Sequence, residues 1–75
     1  MKELVEVLAK ALVDRPEAVQ VTQTETEKQV VIELRVAPED MGKVIGKQGK
    51  IAKAIRTMVK AAAARDGRRV LVEIL

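Results

Sequence analysis

Apolar and polar residues recur along this chain with two different periods, and the switches between them mark out six elements. Residues 2 to 13 set Leu4, Val5, Leu8, Ala11 and Leu12 at helical spacing against Lys2, Glu3, Glu6 and Lys10, which predicts an amphipathic first helix. Pro16 ends it near Asp14-Arg15, because a proline pushes the residue before it out of helical geometry. From Val19 to Thr24 the period drops to two and β-branched residues dominate, so this segment reads as a strand. After the polar connector Glu25 to Lys28 a second strand spans Val30 to Val36, with Val30, Ile32, Leu34 and Val36 on one face and Val31, Glu33 and Arg35 on the other. The two strands form an antiparallel hairpin.

Pro38 at a first helical position, with Glu39 and Asp40 in the first turn to complement the helix dipole, opens a short helix. It carries Met41, Val44 and Ile45 inward and stops at Gly46. A third helix begins just after Gly49, with Ile51, Ala52, Ile55, Met58, Val59 and Ala62 on its apolar side and Lys50, Lys53, Thr57 and Lys60 on the other. Asp66-Gly67 ends it. Met41 and Met58 fit the helical stripes and are expected in the core. Arg68 to Leu75 then alternates Val70, Val72 and Ile74 against Leu71, Glu73 and Leu75, as a third strand.

Two helices between the second and third strands make a crossover long enough for parallel pairing. The expected fold is therefore α+β, in the order helix, strand, strand, helix, helix, strand, as a three-stranded mixed sheet with the helices on one face. Val31, Leu71 and Leu75 then face away from the helices, either partly exposed or within a subunit contact. With 75 residues and no change of composition along the way, the chain reads as one domain, residues 1–75.

Composition narrows the chemistry. Apolar residues make up 48% of the chain yet include no Phe, Tyr or Trp, so any nucleic-acid contact has to work without aromatic base stacking. There is no Cys, His or Ser, which removes disulfides, zinc-thiolate sites and the usual nucleophile and base pairs; neither an enzyme nor a cofactor is expected. The early segment alternates charges with apolar residues and has no uninterrupted apolar run of the kind that leads or crosses a membrane; the expected compartment is the cytoplasm.

The net charge of +3 is unevenly spread. From Met41 to Arg65 lie seven basic residues (Lys43, Lys47, Lys50, Lys53, Arg56, Lys60, Arg65) and no acidic one, while the remainder holds seven basic and eleven acidic residues, a balance of −4. A basic pole on an otherwise acidic small domain suits a polyanionic partner or, in the plainer reading, is a solvated helix face.

Inside that pole, Val44-Ile45-Gly46-Lys47-Gln48-Gly49-Lys50-Ile51 joins one helix end to the next helix start. Gly46 suits the left-handed conformation that closes a helix, and Gly49 leaves the backbone bare where the following helix offers its free N–H groups. Such groups and the positive end of the helix dipole attract phosphate oxygens. Lys47 and Lys50 add mobile charge, Gln48 can donate a hydrogen bond, and Lys43 and Lys53 flank the turn. A nucleotide-hydrolysing loop is excluded, because only three residues separate Gly42 from Gly46-Lys47 and Gln48 stands where Ser or Thr would bind magnesium.

The run Ile-Gly-x-x-Gly within a helix-turn-helix, in this element order, resembles a KH domain of the bacterial type II arrangement. The segment Val36 to Thr57 is similar to the KhpA group, small bacterial proteins that are a lone KH domain. The resemblance implies binding of single-stranded RNA in a groove for about four nucleotides. It assigns Gly46, Lys47, Gln48 and Gly49 to the backbone-binding loop and Ile45 to the apolar position before it. It further implies a post-transcriptional regulator or RNA chaperone that associates as a homodimer or with the larger KH protein Jag (KhpB). One departure stands out: Ala52 occupies the position three beyond the second glycine where many KH domains carry a bulky aliphatic, and Ile51, one residue earlier, belongs either to the groove floor or to the core. The rival reading is a dimerisation or docking module with only weak RNA contact.

Overall fold

The computed structural model of the chain describes residues 1–64 and 67–75. It contains α1 (Lys2–Leu12), β1 (Gln20–Glu25), β2 (Gln29–Arg35), α2 (Met41–Ile45), α3 (Lys50–Ala62) and β3 (Arg69–Ile74). Single 3-10 turns occupy Pro16–Ala18, Pro38–Asp40 and Lys47–Gly49. The element order and the three-stranded mixed sheet are those expected from the sequence.

In the sheet, β2 lies between its neighbours, antiparallel to β1 (Val21 opposite Leu34) and parallel to β3 (Ile32 opposite Val72). Alternation decides which face is buried. Val30, Ile32 and Leu34 are wholly inaccessible, and Val21, Val70 and Val72 join them under the helices. Leu71 and Leu75 on the opposite face stay exposed, and Val31 is half-buried. Thr26 closes the β1–β2 hairpin: its hydroxyl oxygen accepts from the amides of Lys28 (3.3 Å) and Gln29 (3.1 Å). Arg68 then ties the start of β3 to that hairpin through the Thr26 carbonyl at 3.3 Å and the Glu25 carboxylate at 3.7 Å.

Several apolar assignments shift once the helices pack. In α1 the buried positions are Val5 and Ala9, with Leu4 and Leu8 against them, whereas Ala11 and Leu12 are exposed. The helix stops one residue early: Val13 is extended (φ −95°, ψ 158°), which turns its side chain back into the core. In α3 the core side is Ala52, Ile55, Val59 and, just beyond the helix, Ala63. Met58, expected inside, is 46% exposed, and Ala62 is exposed as well. Ala9 and Ala63 take the inner positions because small side chains let α1 and α3 sit close on a sheet already filled by Val and Ile. Met41 is half-buried. The stop expected at Asp66 lies outside the described residues, while Gly67 has the positive φ (72°) of a turn.

Candidate nucleic-acid interface

The segment leading into the loop is fixed by a buried carboxylate. Asp40, 1% exposed, accepts hydrogen bonds from the amides of Asp14 (3.3 Å) and Arg15 (3.1 Å), and the Lys43 ammonium stands 3.5 Å away. Burial pushes the Asp40 carboxyl up, but the two amides and the Lys43 charge together outweigh it and hold the group below its ordinary value. Asp40 is thus more than a first-turn dipole complement: it clasps the turn after α1 to the start of α2. Lys43 also bonds the Asp14 carboxylate, which with Asp40 raises its pKa, so the structure commits Lys43 to two carboxylates.

Beyond α2 the backbone makes three positive-φ residues in four. Gly46 has φ 76° and ψ 172°, an extended left-side conformation that is essentially glycine's own, in place of the left-handed helical one expected from its role as a helix stop. Gln48 (φ 59°, ψ 25°) and Gly49 (φ 73°, ψ 13°) are both in the left-handed region. The turn spends some of its own donors: the amide of Gly46 bonds the Gly42 carbonyl (2.9 Å), that of Gly49 bonds the Gly46 carbonyl (3.1 Å), and that of Lys50 bonds Lys47. Lys47 and Gln48, the two residues between the glycines, are both exposed.

The two glycines are needed for different reasons. A Cβ on Gly46 would lie 2.5 Å from Ile51 Cγ1 and 2.8 Å from its Cβ, so Ile51 already fills that space. A Cβ on Gly49 would meet nothing within 4 Å. Ile51 is half-buried and packs on the core cluster, so it supports the loop from beneath. Gly46→Ala is expected to cost about 3 kcal/mol or more, from the forbidden backbone region plus the collision. Gly49→Ala is expected to cost only about 1–2 kcal/mol, from left-handed geometry without a clash. Urea denaturation midpoints compare the two.

Of the remaining candidates, Ile45, expected to point inward, is 37% exposed and lies beside the loop, while Lys50 and Lys53 are exposed on α3. The structure gathers Ile45, Gly46, Lys47, Gln48, Gly49, Lys50 and Lys53 at one junction of α2 and α3. Lys43 is turned toward Asp14. Arg56, farther along α3, donates from Nε to the Val72 carbonyl at 3.2 Å, a link across to β3 that no sequence spacing announces. Among the described residues no group of three His, Cys, Asp or Glu could hold a metal, and no helix is long and apolar enough to cross a membrane.

The model of the KhpA/KhpB KH-domain family matches residues 2–74. The chain belongs to that family. It is 63% identical to the RNA-binding protein KhpA of Clostridium perfringens over 75 residues, the full length of both. With the RNA-binding protein KhpA of Aquifex aeolicus it shares 56% over all of this chain and 95% of that one. Among solved structures it resembles Era in complex with MgGDPNP and nucleotides 1506–1542 of 16S ribosomal RNA, with a TM-score of 0.68 and 25% identity. The likeness covers 97% of this chain and 28% of Era. The element order is thus that of a KH domain, and Ala52 is a buried residue of its third helix, 5% exposed.

Proposed function

We propose that this chain binds single-stranded RNA by its sugar-phosphate backbone at the Gly46-Lys47-Gln48-Gly49 loop. The observation that carries the reading is the exposed Lys47-Gln48 pair, held between two positive-φ glycines where α2 passes into α3. Two adjacent N–H groups in such a turn form a concave donor pair for an anionic oxygen. Lys47 and Lys50 supply charge beside them, and Lys53 lies one helical turn on. Ile45 offers an aliphatic surface for a base where other domains would use an aromatic ring. Contacts of this kind hold a strand without reading its sequence. Membership of a family whose curated relatives are named RNA-binding proteins supports the same reading.

The biological role we assign is that of a cytoplasmic post-transcriptional regulator or RNA chaperone. One small groove gives modest affinity, so pairing as a homodimer or with the larger KH protein Jag (KhpB) would raise it by avidity. Exposed Val7 (66%) and Met58 (46%) offer apolar surface for such an assembly. The rival reading keeps that assembly and makes RNA contact incidental. Salt distinguishes the two. If phosphates are the ligand, log K for a single-stranded RNA should fall linearly with log salt, by about 0.7 for each phosphate neutralised. A slope near zero in a fluorescence-anisotropy titration would favour protein docking and reject the loop as the main site.

A further inference from the structure

The groove beside the loop does not end the basic surface. Lys53, Arg56 and Lys60 stand at i, i+3 and i+7 on α3, along one side of the helix. The Arg56 Nε bond to the Val72 carbonyl fixes that side against β3, so these cations border the seam between α3 and β3. Where the seam opens, past the last turn of α3 and before β3, lies an open cavity of about 520 Å³. Lys60 and Arg69 line it with Val70 and Leu71, and Arg68 stands at its wall, already engaged by Glu25 and the Thr26 carbonyl. Lys60 is about 15 Å along the helix axis from Lys50 at the loop. No acidic residue interrupts α3.

Lys60 also suits the negative end of the helix dipole, but that role needs neither a cavity nor Arg69. We propose that a strand held at the Gly46–Gly49 loop continues along this seam and seats further phosphates in the cavity against Lys60 and Arg69. The RNA footprint then exceeds the four nucleotides that a KH loop clamps. This rests on the RNA-binding reading above.

The test uses mixed-base oligoribonucleotides of four and about ten nucleotides, bound to the wild-type protein and to a Lys60→Gln, Arg69→Gln double variant across a salt series. A Lys2→Gln, Lys10→Gln double variant on α1 controls for net charge, and thermal melting checks the fold of each. The longer RNA offers more binding registers, but equally to every variant. The expected result is an unchanged tetranucleotide affinity for the Lys60 and Arg69 variant and an approximately tenfold loss on the longer RNA. Its salt slope should shrink by about 0.7 for each contact removed. Equal losses at both lengths, no loss on the longer RNA, or the same loss in the α1 control would overturn the proposal and leave the loop assignment standing. Failure of the wild type to bind either length would refute the RNA-binding reading itself, and this inference with it.

Discussion

Replacing Lys47 and Gln48 together by aspartate is expected to abolish crosslinking to single-stranded RNA while leaving the fold unchanged. The change puts two carboxylates at the exposed centre of the loop, where the proposed phosphate would sit, so repulsion replaces attraction at a short range that salt screens least. The backbone should tolerate it. Residue 48 is in the left-handed region at φ 59°, which aspartate enters more readily than glutamine does, and both side chains are exposed. The melting temperature should therefore stay within a few degrees of the wild type, by circular dichroism. Persistence of crosslinking in this variant would show that the strand is held elsewhere.

The second large effect concerns Asp40. Asp40→Ala leaves the amides of Asp14 and Arg15 without their acceptor and deprives Lys43 of one carboxylate. Donors left without an acceptor at a part-buried site are costly, and in a domain of this size the loss should lower the melting temperature by about 5 °C or more. Asp40→Asn, which keeps the shape but not the charge, tests the cause through pH. The folded carboxyl titrates below its ordinary value of 3.8, so the stability it adds stands in full above that pH and is lost as pH falls through the folded value. The gap in melting temperature between wild type and Asp40→Asn should thus be constant near neutrality and close in strong acid. A gap that persists unchanged at low pH would mean that charge plays no part in the clasp.

The strands were legible because alternation is a strong signal when one face is fully covered: Val30, Ile32 and Leu34 could face only one way. Helix faces were less legible at their borders. Leu12 and Met58 fit the apolar stripe by type and spacing, yet Ala9 and Ala63 are the residues inside, since spacing says nothing about how closely two helices approach. The loop glycines stood out by position, but the ψ of Gly46 and the left-handed Gln48 did not, because residue type does not announce either and the space beside Gly46 is filled by Ile51 only once α3 has packed. The bonds that Asp40 accepts from Asp14 and Arg15, and the one that Arg56 donates to Val72, join residues 26, 25 and 16 positions apart. No local pattern encodes such contacts. The basic pole appeared in the composition, whereas its division into a committed Lys43 and an exposed track along α3 required the fold.

Ile51, wedged where a Gly46 side chain would be, means that the loop keeps its shape by its own packing and does not wait for a guest. If a strand settles there as proposed, the disorder surrendered on association falls mainly on the nucleic acid, whose flexible backbone must adopt one path, and little of it on the protein. A receptor built in this way gains from any partner strand that is already extended and unpaired, and it discriminates against folded RNA through the cost of unfolding it.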